Sequence, residues 1–367
     1  MPHQRKRLLV VIGTRPEAIK LAPVIIEAER SGHFEVRVIG TGQHREMLDQ
    51  MVRQFDLHID VDLNIMRPDQ SLCDVTISAL EGLHRIIAEF GPDCVIVQGD
   101  TTTTFCGALA AFYQNIPVAH VEAGLRTYSR RQPFPEEANR CLTTQLTEFH
   151  FAPTPLARDN LQHEGVAPEQ VWVTGNTAID ALHIILAKTG HTVAVPKNSR
   201  TVLVTAHRRE NHGKPMENIC RAILRLVEQF PDLLIVYPVH LSPRVGQTVY
   251  PLLGNHDRIK LIKPLDYHDF VIAMNDAYFI LTDSGGVQEE APSLGKPVLI
   301  LREVTERPEA MEAGTAIPVG TDEDRIFTEA SRLLKDAKHY RAMSEAKNPF
   351  GDGTAAKHII QVLMAKL

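Results

Sequence analysis

The sequence predicts two consecutive doubly wound α/β domains, and three observations carry that expectation. Short apolar runs rich in Val, Ile and Leu recur along the chain at Leu8–Ile12, Val36–Ile39, Cys94–Val97, Val118–Val121 and Val171–Val173, and again at Val202–Val204, Leu233–Val236, Tyr278–Leu281 and Pro297–Leu301. The runs are continuous rather than alternating, as in strands of a parallel sheet covered on both faces. Between them lie longer segments such as Ala18–Arg30 and Leu72–Phe90, with apolar residues at helical spacing. The third observation is a break: Lys188–Arg200 is polar, holds a Gly and a Pro, and precedes a fresh strand. It reads as the linker. The chain is 367 residues long, which suits two domains of about 100–200 residues each. A final helix is expected over Thr354–Leu367.

Composition narrows the class. Hydrophobic residues make up 44% and charged residues 23%, which is ordinary for a globular protein. The net charge of −6 argues against nucleic-acid binding, which favours a strongly basic face. Five cysteines with no C-x-x-C spacing argue against a disulfide framework and a zinc site. Cys94 and Cys106 read as small core residues. The basic start MPHQRKR meets an apolar run too short for a signal segment, and no run approaches the ~20 residues of a membrane span. A cytoplasmic protein with no membrane partner is the expectation. The seventeen histidines show no ligand spacing on a helix, so no metal site is expected.

In open parallel sheets, ligands bind beyond the carboxyl ends of the strands, so the residues after each strand matter most. After the first comes Gly13-Thr14-Arg15-Pro16-Glu17-Ala18-Ile19-Lys20. Gly13 allows a tight turn, Thr14 and Pro16 suit a helix start, and Arg15 and Lys20 add positive charge where an anion would sit. Asp100 follows Val97 in Gln98-Gly99-Asp100-Thr101, and Glu122 follows Val121. Glu136 and Glu137 begin the helix after Pro135. An Asp before a helix is commonly a cap, and Glu in a first turn suits the dipole. Yet Asp100, Glu122 and Glu136 all fall on one rim, and converging carboxylates are what general acid–base chemistry requires.

In the second half, Ala206-His207-Arg208-Arg209-Glu210 puts a His and two Arg after a strand, which suits a diphosphate. Thr282-Asp283-Ser284-Gly285-Gly286 joins a strand to a helix with backbone N–H groups open to phosphate. Glu290 follows one turn later, where a carboxylate can accept from ribose hydroxyls. Arg307 adds a cation after the next strand. His240 also follows a strand.

Taken together, these motifs resemble the bacterial non-hydrolysing UDP-N-acetylglucosamine 2-epimerases. To those already quoted are added Gln43-His44-Arg45-Glu46-Met47, His120-Val121-Glu122-Ala123-Gly124-Leu125-Arg126, Pro135-Glu136-Glu137-Ala138-Asn139-Arg140, Gly175-Asn176-Thr177 and Glu306-Arg307-Pro308-Glu309-Ala310. The matches run in order over nearly the whole chain. The resemblance implies two Rossmann-like domains facing across a cleft, as in GT-B glycosyltransferases. It places the catalytic domain at 1–188, the UDP-binding domain at 189–352 and a last helix, 353–367, back on the first domain.

It also implies a reaction: UDP is eliminated to leave 2-acetamidoglucal, then re-added to give UDP-N-acetylmannosamine, with no cofactor and no metal. By resemblance Asp100, Glu122, Glu136 and His207 are catalytic. Arg15, Lys20, Arg140, Phe270, Ser284, Gly285, Gly286, Glu290 and Arg307 bind substrate or UDP. Gln43, His44, Arg209 and His240 match a second, activating substrate site, although Glu46 and Asp69 depart from the pattern there. Relatives suggest a homodimer. An epimerase of a UDP-diacetamido sugar stays open, as does a non-catalytic sugar-nucleotide sensor.

Overall fold

The computed structural model describes residues 5–42, 52–67, 69–188, 199–303, 305 and 307–367. Gln43, His44 and Glu46, and most of the linker read at Lys188–Arg200, lie outside the described residues. The chain divides into two compact units, Met1–Ile185 with Phe350–Leu367, and Leu186–Pro349.

Unit 1 holds strands β1 (Lys6–Ile12), β2 (Phe34–Gly40), β3 (Val61–Asp62), β4 (Cys94–Gln98), β5 (Val118–Val121), β6 (Phe149–Ala152) and β7 (Val171–Val173). They pair in the order β3-β2-β1-β4-β5-β6-β7, all in parallel. The crossovers run through α1 (Arg15–Ser31), α2 (Leu72–Phe90), α3 (Thr102–Phe112), α4 (Glu136–Leu146), α5 (Pro155–His163) and α6 (Thr177–Ala187). Leu8 to Ile12 and Cys94 to Val97 are buried throughout, as strands covered on both faces must be.

Unit 2 holds β8 (Arg200–Thr205), β9 (Leu233–Pro238), β10 (Ile259–Ile262), β11 (Phe279–Thr282), β12 (Val298–Ile300) and β13 (Ala316–Pro318), ordered β10-β9-β8-β11-β12-β13. These too are parallel. Its helices are α7 (Lys214–Gln229), α8 (Pro243–Leu253), α9 (Tyr267–Asp276), α10 (Gly285–Glu290), α11 (Pro308–Glu312), α12 (Glu323–Lys335) and α13 (Ala337–Ser344). Its core gathers Ile223, Leu226, Ile235, Tyr237 and Phe279.

The last helix, α14 (Ala355–Lys366), belongs to unit 1 and packs on α1. Its start is pinned there by buried Asp180, which accepts from Ala355 N at 3.3 Å and Ala356 N at 2.9 Å. A carboxylate suits the positive end of a helix. Among the described residues, no helix is long and apolar enough to cross a membrane. All five cysteines are free thiols, with Cys94 and Cys106 buried.

The strand order fixes where ligands can bind. It reverses between β1 and β4 in unit 1 and between β8 and β11 in unit 2. A crevice opens at such a switch point beyond the strand ends. The turns there are 13–14 and 99–101 in unit 1, and 206–210 and 283–284 in unit 2.

Candidate functional site

In unit 1, Gly13 and Thr14 turn the chain from β1 into α1. Buried Glu17 reaches back to both N–H groups, at 2.9 Å from Gly13 N. It also accepts from Thr101 Oγ1 at 2.6 Å and Thr104 Oγ1 at 3.1 Å, joining the two turns that flank the switch point. Burial pushes its carboxyl above the ordinary range, against these hydrogen bonds. Gly13 is required by close approach, because a Cβ there would stand 2.3 Å from Thr103 Oγ1.

Lys20, one turn into α1, meets Glu122. Its Nζ lies 2.6 Å from each Glu122 oxygen, and Gln98 Nε2 donates to Oε2 of the same carboxylate. Glu122 has a backbone φ of 65°, the left-handed region that a non-glycine residue adopts at a cost. The turn folds the carboxylate back over the end of β4.

Asp100 does not cap α3. Thr101 does so, accepting from Thr104 N at 3.1 Å. The Asp100 carboxylate is thereby left to Arg140 Nη2, while Asn139 Nδ2 holds its carbonyl at 3.0 Å. Arg140 also lies 3.3 Å from Glu137.

The two glutamates at the start of α4 part company. Glu137 is buried and takes the N–H groups of Thr127 at 3.0 Å and Tyr128 at 2.9 Å, so it shapes the preceding loop. Glu136 is half-buried, and its Oε2 is enclosed without a hydrogen-bond partner. Glu136 and Arg140 are four apart on one helix face. Asp100, Glu122, Glu136, Lys20 and Arg140 therefore gather on one rim, and Arg15 opens the same helix as Lys20. Arg126 is committed elsewhere, to Glu164 at 2.7 Å. Below the rim, buried His120 donates from Nε2 to Gly99 O at 2.7 Å, behind Asp100.

In unit 2 the centre is Asp283, a residue the sequence did not single out. It is fully buried, and its Oδ2 accepts from His207 N and Arg208 N at 2.8 Å each and from Asn211 Nδ2 at 3.0 Å. Its Oδ1 lies 3.4 Å from His207 Nδ1. His207 stacks on exposed His240, with ring centroids 5.3 Å apart. Burial pushes His207 below the ordinary imidazole range, His240 and Arg208 push the same way, and Asp283 opposes them. Arg209 is exposed on the turn beyond.

Ser284 is the N-cap of α10, and Gly285 and Gly286 are its first helical residues, whose N–H groups have no acceptor inside the helix. Arg208 rather than Arg209 flanks this turn, with Nη2 4.0 Å from where a Gly285 Cβ would stand. At the other end of α10, Glu290 accepts from Tyr267 Oη at 3.2 Å. Phe270 lies three residues beyond Tyr267 on α9, on the same helix face, and is half-buried. Arg307 pairs with buried Glu289 and packs against α10.

Among the described residues, only Asp266, His268 and Asp269 group closely enough to hold a cation. Their contacts are those of a helix start: Asp266 caps Asp269 N at 2.8 Å, and His268 Nδ1 meets Asp269 at 3.0 Å.

The comparisons with known proteins bear on the whole chain. The profile described as UDP-N-acetylglucosamine 2-epimerase matches residues 26–364. The chain belongs to the UDP-N-acetylglucosamine 2-epimerase family. A relative of that name from Salmonella typhimurium is 51% identical, over 97% of this chain and 98% of its own length. The Neisseria meningitidis UDP-GlcNAc 2-epimerase, solved bound to UDP-GlcNAc, is 47% identical with a TM-score of 0.90, covering 98% of this chain and 100% of that one. The Methanocaldococcus jannaschii enzyme, solved with UDP-GlcNAc and UDP, is 34% identical with a TM-score of 0.79, covering 98% and 99%. The epimerase family is one of isomerases, and two parallel α/β units are its fold.

Several residues at these rims carried no separate signal in the sequence. Gln98 is the last residue of β4 and looks like strand. Tyr267 and Asn211 look like packing. Asp283 was hidden beside the more conspicuous Ser-Gly-Gly, although an acid at a switch-point strand end is itself a signal.

Proposed function

We propose that this chain interconverts UDP-N-acetylglucosamine and UDP-N-acetylmannosamine by elimination and re-addition of UDP. A carboxylate of unit 1 takes the C2 proton. The C1–O bond breaks, its electron pair leaves on UDP, and C1=C2 of 2-acetamidoglucal forms. A UDP oxygen then adds back to C1 while a proton reaches C2 from the opposite face. Two groups of different protonation are needed, one as base and one as acid. The observation that carries the reading is the grouping of Asp100, Glu122 and Glu136, each held differently. Glu122 is gripped by Lys20 and Gln98, Asp100 by Arg140, and Glu136 keeps an enclosed, unpartnered oxygen.

In the same reading unit 2 holds UDP. Ser284, Gly285 and Gly286 present N–H groups to the diphosphate, and Arg208 and His207 meet its charge. Glu290 takes the ribose hydroxyls and Phe270 lies against the uracil. Arg307 supports α10. Arg15 and Lys20 support the leaving charge from unit 1. Arg209 and His240, with Gln43 and His44, belong to a second substrate site that activates the enzyme.

A homodimer is part of the proposal. Ile77, Phe112 and Leu142 are 50–58% exposed on α2, α3 and α4, which pack in succession, an apolar face of the kind a second copy covers.

The test is proton NMR of the protein with UDP-N-acetylglucosamine in D2O, without added metal or cofactor. UDP-N-acetylmannosamine with deuterium at C2 is expected. Free N-acetylmannosamine with UDP would move the enzyme to a hydrolysing reaction. An unchanged spectrum refutes the substrate, and a UDP-diacetamido sugar is then the next to try.

A further inference from the structure

We propose that Asp283 is a positioning residue for His207: its Oδ1 receives the Nδ1–H of the imidazole and so turns Nε2 outward, toward the bound diphosphate. The inference rests on the reading of unit 2 as the UDP site.

The geometry divides the work of the two Asp283 oxygens. Oδ2 is saturated by two backbone N–H groups and Asn211. These bonds fix the path of residues 207 and 208 as they leave β8. Oδ1 is enclosed and has no hydrogen-bond partner, and His207 Nδ1 stands 3.4 Å from it. A buried carboxylate oxygen left without a donor is costly. A small rotation of the ring, which is 42% exposed, supplies that donor. The ring is already confined, because His240 stacks on its face at 12° from parallel.

The consequence is chemical. A neutral imidazole has one N–H, and its tautomer is set by the bond the other nitrogen makes. With Nδ1–H on Asp283, Nε2 is the nitrogen that takes up the second proton. The resulting imidazolium is held between two anions, the carboxylate behind and the diphosphate in front, and donates a hydrogen bond to the latter. The charged and titratable groups around the ring are Asp283 after β11, His240 after β9 and Arg208 beside it. The phenol of Tyr237, on β9, is turned away to Ala206 O at 2.8 Å. Asp283 alone among these favours the charged ring.

Asp283→Asn separates this role from a structural one. Its carbonyl oxygen still accepts from the backbone N–H groups, while its amide, facing His207, forces Nδ1 to be the unprotonated nitrogen. The protein is labelled with 15N-histidine, and UDP is the probe. In the wild type the neutral His207 ring carries its proton on Nδ1. Its titration midpoint, free and with UDP, falls by about one pH unit or more in Asp283→Asn. With UDP-N-acetylglucosamine, kcat falls about 100-fold or more and KM stays within about threefold, as for loss of a proton-donating group. The alkaline limb of the kcat profile moves to lower pH.

A wild-type proton on Nε2 overturns the proposal, and needs no variant to be folded. Equal midpoints in the two proteins, or an unchanged kcat, overturn it as well. A wild type inert toward UDP-N-acetylglucosamine would sink the epimerase reading instead, and the tautomer and midpoint would still decide the role of Asp283.

Discussion

Acid should unfold unit 1 through two histidines in the middle of its sheet. His120 on β5 and His150 on β6 are neighbours in register, 0% and 1% exposed. Burial pushes them from the ordinary 6.5 down to about 4 and about 3. Each has an enclosed Nδ1 with no hydrogen-bond partner. The folded-state values lie below the unfolded one, so the neutral rings cost nothing above pH 6.5. Stability is lost as pH falls below 6.5, where the unfolded chain takes up protons that the fold refuses. At pH 5 each histidine costs roughly 2 kcal/mol relative to pH 7.5, about 4 kcal/mol for the pair. That figure holds for any folded value well under 5, because the unfolded state does the titrating. Glu17 and Asp180, with carboxyls pushed up by burial, act in the opposite sense but are common to every protein compared.

The assay is urea unfolding followed by the fluorescence of Trp172, the single tryptophan. It reports unit 1 locally, since its ring lies 6.1 Å and 5.9 Å from those of Phe149 and Phe151, on either side of His150. His120→Gln keeps a donor for Gly99 O, and His120→Gln/His150→Gln should lose most of the difference between pH 7.5 and pH 5. If the double variant keeps the full wild-type loss, the buried histidines are not its source and the reasoning fails.

Three further outcomes follow from the rims. Lys20→Met removes a cation from Glu122 at a site where both side chains are at most 17% exposed; it should cost roughly 3 kcal/mol of unit 1 stability in the Trp172 transition and lower kcat about 100-fold or more. Gly285→Val meets nothing closer than Arg208 Nη2 at 4.0 Å from its Cβ, so the fold should stand while calorimetry shows UDP binding weakened about tenfold or more, by obstruction of the phosphate approach; unchanged affinity would remove α10 from the UDP site. Phe112→Glu with Ile77→Glu should leave a monomer by light scattering if these helices form the dimer face, since buried unpaired charge is strongly disfavoured.

The fold was legible where apolar runs were long. Leu8–Ile12 and Cys94–Val97 announce central strands because both faces are covered. β3, β6, β10 and β13 carried no such run. β3 has two residues, β13 has three, β10 contains Lys260 and β6 contains His150, and edge or interrupted strands lose the continuous pattern. In the site, sequence could locate the rims but not choose between neighbours. Glu136 and Glu137 are alike as first-turn acids, yet helix geometry sends one to the Thr127–Tyr128 backbone and leaves the other with an enclosed, unpartnered oxygen. Arg208 and Arg209 are alike as cations, yet the turn fixed by Asp283 aims the first at Gly285. A hundred degrees of helix rotation or one turn residue decides such cases, and neither is visible in spacing.

Glu122 shows why the rim is built at strand ends rather than on helix faces. Its φ of 65° costs on the order of 1–3 kcal/mol for a non-glycine residue. A helix position would have been cheaper, but it would have aimed the carboxylate along a ridge beside its neighbours. From the left-handed turn after β5 it instead lies back across the end of β4, within reach of both Gln98 and Lys20. Those two bonds overdetermine the turn, so the strain persists in the folded protein and no further reorganisation is needed when a ligand arrives. An acid or base that acts by position must already be in position, and a carboxylate clamped at both oxygens satisfies that condition. Glu136, whose enclosed Oε2 has no hydrogen-bond partner, does not until a ligand supplies one. The rim thus combines a preset carboxylate with one that a sugar nucleotide would complete, a division suited to the proposed reaction, in which a proton leaves one face of C2 and another arrives on the opposite face.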